Sequence, residues 1–338
     1  MKPEPFGRTA DGEDVHRLEI AGGGLSARVM TWGAVIQDLR LDGHDAPLVL
    51  GFDKFDDYPA HSPYFGATAG RYANRIRNGI FMIDGERYQA DTNFLGKHLL
   101  HGGSKGLGKR VWNIADHGAD FVKLTIRDPD GAMGFPGAID ISCTYRLVAP
   151  GRLTVSFKAT ADKPTLCNLA HHSYFNLDDG GAGDILDHRM MIAASAYLPV
   201  DDELIPTGVV MPVDGTPFDF RISRPVRERM DGEQIGYDHN FCLSASRQPL
   251  RLAAWAQGAH SSVEMDVWTT ETGLQFYAGK NAGRTVPGLG GRQYGPYAGF
   301  AMEPQVWPDS PNRPYFPQAL LRPGETYGQE TEYRFRLA

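Results

Sequence analysis

The chain has 338 residues, of which 41% are apolar, and a net charge of -7 at neutral pH. That length allows one large or two ordinary domains, and the apolar share is enough for a substantial core. An acidic balance without any Lys/Arg stripe argues against nucleic-acid binding, and no apolar run approaches membrane-spanning length.

The first residues, Met1-Lys-Pro-Glu-Pro-Phe-Gly7, contain no apolar segment of the kind a signal peptide needs, so a cytoplasmic location is expected. The first segment dense in polar groups is Gly70-Arg-Tyr-Ala-Asn-Arg-Ile76. Leu100-His101-Gly-Gly follows, with glycines that let backbone approach a ligand. Next comes Gly103-Ser-Lys-Gly-Leu-Gly-Lys109, which imitates the opening of a phosphate-binding loop. Arg110 then stands where a Ser or Thr should hold magnesium, and neither the strand before nor the helix after is present. A glycine-rich surface loop is the better reading.

Period-two patterning then takes over, the mark of half-buried strands. Val122, Leu124 and Ile126 alternate with polar residues, as do Ile139, Ile141, Cys143, Tyr145 and Leu147, and then Leu153, Val155, Phe157 and Ala159. Tyr333, Phe335 and Leu337 repeat the pattern at the end. Turn pairs such as Asp84-Gly85, Asp130-Gly131, Pro150-Gly151 and Pro323-Gly324 punctuate the runs. No stretch shows a sustained helical stripe. The pattern predicts an all-β chain, antiparallel because its connections are short, and a large sandwich because its strands are many. No linker or repeat divides it, so residues 1–338 are read as a single domain.

Two strings carry the chemistry. Asn168-Leu-Ala-His-His-Ser-Tyr-Phe-Asn-Leu177 packs two histidines, a hydroxyl, a phenol and two amides together. Met302-Glu-Pro-Gln-Val-Trp-Pro-Asp309 sets Glu303 among apolar and aromatic residues. A histidine and a buried glutamate are what moves one proton on and another off a neutral substrate. His172 alone would read as a satisfied core residue, but so many polar neighbours are costly to bury without partners or a ligand. Glu303 reads either as the polar face of an edge strand or, if turned inward, as a base whose pKa burial raises. Gly236-Tyr-Asp-His-Asn-Phe-Cys242 and Gly273-Leu-Gln-Phe-Tyr277 are further polar clusters among apolar residues.

No metal site is expected. His171 and His172 would point to opposite faces of a strand, and neither HExxH nor CxxC occurs. Cys143, Cys167 and Cys242 are too few and too scattered for a disulfide framework and read as buried free thiols.

Taken together, Gly70–Ile76, Leu100–Gly103, His172–Leu177, Tyr237–Phe241, Gly273–Tyr277 and Glu303…Trp307-Pro-Asp309…Asn312…Phe316-Pro317 resemble the motifs of the aldose 1-epimerases, also called galactose mutarotases, in order and spacing along the whole chain. The resemblance implies a galactose mutarotase-like antiparallel supersandwich with a sugar cleft on one face. It implies interconversion of the α and β anomers of free aldohexoses such as D-galactose and D-glucose, with no metal and no organic cofactor. Carried over residue by residue, it makes Glu303 the general base, His172 the general acid, and His101 a second histidine near the ring and anomeric oxygens. Asn74, Arg75, Asp238 and Gln275 would hold sugar hydroxyls, and Ser173 and Tyr174 would line the site. The partner implied is a monosaccharide, without nucleic acid or membrane, bound by a monomer or homodimer. Two departures are His171, where Asn is common, and Ala278-Gly-Lys-Asn281; either could tune which sugar fits.

Three rival readings remain. A glycoside hydrolase would pair Asp238 with Glu303 as its two carboxylates. A hexose-6-phosphate mutarotase would need a basic clamp, for which Arg71, Arg75 and Lys109 are at hand. A non-catalytic sugar-binding protein would need neither Glu303 nor His172.

Overall fold

A computed structural model of the protein describes residues 2–338. Its strands are antiparallel and assemble chiefly into three sheets. The largest has nine strands, in the order Asn113–His117, Phe121–Asp128, Ile139–Val148, Arg152–Ala161, Tyr327–Leu337, Val263–Thr269, Arg251–Gln257, Arg189–Ile192, Arg224–Pro225. The second has six, in the order Tyr174–Phe175, Phe300–Gln305, Gly273–Tyr277, Asp238–Cys242, Ala196–Tyr197, Met211–Pro212. The third is a four-stranded meander built from Glu4–Arg8, Asp14–Gly22, Leu25–Met30 and Val35–Leu41. Among the described residues the one α-helix is the short Asp57–His61, and no helix is long and apolar enough to cross a membrane.

The period-two reading of the long strands holds. Along Ile139–Val148 every second residue from Ile139 to Leu147 is buried and the others are more exposed. Arg152–Ala161 buries Leu153, Val155, Phe157 and Ala159 in the same way, and the two strands pair in unbroken register. The last strand departs at its end: Tyr333 and Phe335 are buried, but Leu337, although still paired with Val263, is 47% exposed. The turn chemistry also holds. Asp84 and Gly85 both adopt left-handed φ, 51° and 84°, in the tight hairpin between Ile80–Ile83 and Glu86–Gln89, as a two-residue turn matched to strand twist requires. Cys143 and Cys167 are buried free thiols, whereas Cys242 is only half-buried.

One core joins the three sheets. It contains Leu18, Ile20 and Val29 from the meander, Val122, Tyr145 and Val155 from the nine-stranded sheet, and Leu274, Phe276, Phe300 and Met302 from the six-stranded sheet. Burying each such side chain contributes about 1.5–3 kcal/mol. That anchoring decides where the polar residues go. Because successive side chains alternate across a strand, seating Phe300 and Met302 in the core turns Glu303 to the other face. Seating Leu274 and Phe276 does the same for Gln275, and seating Phe241 does so for Asn240 and Asp238.

Candidate active site

Strand register assembles these residues side by side. Gln275 lies directly opposite Glu303 on one flank and Asn240 on the other. Asp238 sits two residues before Asn240 and is bonded from both sides. Gln275 Nε2 donates to its Oδ1 at 2.6 Å, and Arg75 Nη2 donates to its Oδ2 at 3.2 Å. Asn74, Arg75, Asp238, Asn240 and Gln275 line a narrow recess of about 10 Å³ whose other wall is apolar, from Leu198, Val200, Leu204 and Pro206.

The histidines arrive from two separate segments. His172 ends the short strand Ala170–His172, which pairs with Ala67–Ala69. His171 faces the core, where its ring bonds Tyr145 Oη at 3.2 Å and Ser173 Oγ at 2.7 Å. His172 therefore faces the other way, and its Nε2 lies 3.4 Å from Glu303 Oε1. His101 and Asn74 clasp each other: His101 N–H donates to Asn74 O at 3.0 Å, and Asn74 N–H donates to His101 Nδ1 at 3.1 Å. Both residues have left-handed φ, 49° and 62°, a strained conformation for a side chain with a Cβ, of the kind that collects at functional sites. Gly102 cannot be anything else. Its φ is +84°, and a Cβ there would come within 1.9 Å of Gly70 O.

Burial sets the proton affinities. Glu303 is pushed well above the usual carboxylate range, first by desolvation and then by the charge of Asp238, with Arg75 opposing. Desolvation pulls His172 down to about 4. His101 is lowered well below 6.5 by desolvation and by the neighbouring His172, Arg75 and Lys109. Burial thus favours a protonated Glu303 beside a neutral His172. Several buried polar atoms in this face have no hydrogen-bond partner in the protein: Glu303 Oε2, Gln275 Oε1, Asn240 Oδ1 and Arg75 Nε. An unsatisfied buried group costs about 1–3 kcal/mol. Four in one place are the signature of a surface built to meet a polar ligand.

Of the residues singled out in the sequence, Glu303, His172, His101, Asn74, Arg75, Asp238 and Gln275 converge. Tyr174 lies beside them, stacked on His172 at 5.1 Å, with its hydroxyl donating to Pro63 O. Ser173 does not join them; it alternates to the His171 side and is spent on that ring. Of the two sequence departures, His171 thus lies outside the recess, while Asn281 N–H donates to Tyr277 Oη beside it. Sequence reasoning passed over three neighbours. Asn240 lay inside a quoted motif but carried no distinguishing signal. Tyr277 closed a quoted motif and now packs edge-on against Tyr174 at 5.9 Å. Tyr64, tilted against His101 at 4.6 Å, had no signal at all.

The ligand atoms of His101, His172 and Glu303 lie within 4.8 Å of one another, a constellation that could be read as a metal site and that spacing along the chain did not reveal. The hydrogen bond into His101 Nδ1 speaks against it. A neutral ring that accepts at Nδ1 carries its proton on Nε2 and has no lone pair left for a metal. Exhaustive chelation is therefore expected to leave both turnover and melting temperature unchanged. A loss restored by Zn²⁺ or Ca²⁺ would show that His101 binds through the other tautomer.

The family model for aldose 1-epimerase matches residues 16–334. The chain belongs to the aldose 1-epimerase family. Galactose mutarotase from Rattus norvegicus is 40% identical over 333 residues, covering 97% of this chain and 96% of its own. Aldose 1-epimerase from Escherichia coli K12 is 37% identical, covering 96% of each chain. Among solved structures, the aldose epimerase homologue from C. elegans superposes with a TM-score of 0.89 at 32% identity, covering 96% of this chain and 99% of that one. Galactose 1-epimerase from Lactobacillus acidophilus NCFM superposes with a TM-score of 0.85 at 27% identity, covering 100% of this chain and 98% of that one. This member of the aldose 1-epimerase family is thus an enzyme of the carbohydrate-isomerase class on the mutarotase fold.

Proposed function

We propose that this epimerase interconverts the α and β anomers of free aldohexoses such as D-galactose and D-glucose, with Glu303 as general base and His172 as general acid. The observation that carries the reading is the 3.4 Å pair of Glu303 and His172 at the rim of a recess lined with unsatisfied hydroxyl-binding groups. Glu303 takes the proton of the C1 hydroxyl while His172 gives one to the ring oxygen. The C1–O5 bond breaks and leaves an open-chain aldehyde. Rotation about C1–C2 presents the other carbonyl face, and closure reverses both transfers. Protonated glutamate with neutral histidine, and glutamate with histidinium, contain the same number of protons. One proton crossing between the pair primes the cycle without exchange with solvent. His101 Nε2–H supplies a fixed donor for the oxygen on which charge develops. No redox step or phosphate chemistry is required.

The rivals fit less well. Both oxygens of Asp238 are held by Gln275 and Arg75, so it is poorly placed to serve as a second glycosidase carboxylate. A phosphate clamp loses two of its three candidate cations. Arg71 is 1% exposed and bonded to Asp128 and to the carbonyls of Pro136 and Gly137, and Arg75 is engaged with Asp238. A plain sugar binder would not need the Glu303–His172 pair. We read the whole chain as one such unit acting in the cytoplasm on a monosaccharide.

Polarimetry on fresh α-D-galactose and α-D-glucose tests the reading, with the 6-phosphates as comparison. Faster turnover of the phosphates would reverse the substrate assignment. The same assay tests the hydroxyl binders. Sugar in the ground state and in the transition state differs mainly at C1 and O5, so contacts to other hydroxyls bind both alike. Losing uniform binding raises KM with kcat nearly unchanged. Asp238→Asn and Arg75→Met are expected to raise KM roughly tenfold, and to do so unequally for galactose and glucose, which differ only at C4. A collapse of kcat at constant KM would return Asp238 to the proton-transfer machinery.

A further inference from the structure

His172 is held on two sides by phenol rings. Tyr174 stacks on it at 5.1 Å with planes 20° apart, and Tyr64 stacks at 6.0 Å with planes 24° apart. The Tyr64 ring also leans on His101 at 4.6 Å, so one side chain touches both site histidines. The loop that carries it is tied to the site rather than to the surface. Tyr174 Oη donates to Pro63 O at 3.0 Å, and Gly66 N–H donates to the carbonyl of His172 itself at 3.0 Å. Ser62 Oγ accepts from Phe65 N–H at 2.8 Å and fixes the turn. Within it Tyr64 adopts φ +72°, and Gly66 adopts φ +67°, where a Cβ would come within 2.1 Å of Ile36 O. A left-handed tyrosine held by this many anchors is over-determined, which is how a strained residue persists at a site. Its hydroxyl makes no hydrogen bond among the described residues, so the ring, not the oxygen, accounts for its placement. That ring already faces one cation, since Lys109 Nζ lies over it at 5.2 Å.

We propose that Tyr64 is a positioning residue whose ring stacks on His172, fixing the plane of the imidazole and supporting it while it carries the positive charge of the catalytic cycle. The physical basis is the negative face of an aromatic ring, which attracts a cation lying over it and does so more strongly where water is excluded. A histidine that must become charged inside a buried site lacks the hydration that would normally support the charge, and the stacked phenol supplies part of what is missing. Tyr174 offers a second such face, but its hydroxyl is committed to Pro63 and its ring to Phe65 and Tyr277. Tyr64 is the stacking partner that can be altered with least disturbance of the core.

This role presupposes His172 as the proton donor proposed above, and a double-mutant cycle separates the two claims. Tyr64→Phe keeps the ring and should retain kcat within about threefold of the parent. Tyr64→Leu keeps an apolar cover without a π face and should lower kcat about tenfold, with KM changed less than about threefold. In a His172→Asn background the same Tyr64→Leu change should have no further effect, because its partner has gone. Tyr64→Met serves as a second non-aromatic variant should the leucine protein fold poorly. Parental kcat in the leucine or methionine protein overturns the proposal. So does a loss in Tyr64→Phe as large as in Tyr64→Leu, which would assign the effect to the hydroxyl, and so does a tenfold loss that persists in the His172→Asn background. If instead His172→Asn alone is nearly as active as the parent, it is the proton-donor assignment that fails.

Discussion

Glu303→Gln is expected to lower kcat by about two to four orders of magnitude, the worth of a positioned general base, with little change in KM. The amide keeps the shape of the carboxylate and can still meet sugar oxygens, but it cannot take the C1 proton. The same substitution is expected to stabilise the fold at neutral and alkaline pH. Glu303 has a folded pKa raised well above 4.5 by burial. A group of that kind binds its proton more tightly when folded. Its contribution to stability is therefore full below its unfolded pKa and is lost as pH rises toward the folded value. Glutamine does not titrate, so the variant escapes this loss. Its melting temperature should exceed that of the parent above neutrality, and the difference should close as the pH approaches 4. Activity sacrificed to keep a destabilised group in place is the usual trade at a working site. Near-parental turnover would remove Glu303 from the base role. A parental melting profile across this pH range would show that its carboxyl is not the strained group that its burial implies.

His172→Asn is expected to cost a similar two to four orders of magnitude in kcat. No other group can readily take its place. His101 is the nearest imidazole, but its Nδ1 is occupied by the Asn74 N–H and its remaining nitrogen can donate only the proton it already carries. His171 is turned into the core against Tyr145 and Ser173. In the proposed cycle Glu303 and His172 pass one proton between them and act as a unit, so the double variant should be little worse than the poorer single one. Strict additivity of the two losses, measured by polarimetry on the same sugar, would mean that each moves its proton independently and that their 3.4 Å approach is incidental.

Much of this was legible without coordinates. The alternation from Ile139 to Leu147 and from Leu153 to Ala159 predicts strands because side-chain direction in a strand is set by parity alone, and the buried residues fall where parity puts them. Parity also separates His171 from His172, and Asp84-Gly85 dictates its turn through backbone sterics. The motif residues were identifiable as a set because a run such as His172–Asn176 holds more polar groups than a core accepts without a reason.

Other features needed the tertiary structure. Arg71 and Arg75 are four residues apart and chemically alike. Only packing shows that one is sealed against Asp128 and the other reaches Asp238. The grouping of His101, His172 and Glu303 within 4.8 Å comes from three distant segments, and nothing local records it. The same is true of Tyr64, an ordinary aromatic residue in a proline-containing loop until the fold lays its ring on two histidines. The sequence by itself determined which residues lie on which face of each strand, because that depends on neighbours one or two positions away. Only the tertiary structure decided which faces meet, which carboxylate is desolvated and which histidine nitrogen bears the proton, because those depend on contacts between residues as far apart as Arg75 and Asp238, or His172 and Glu303.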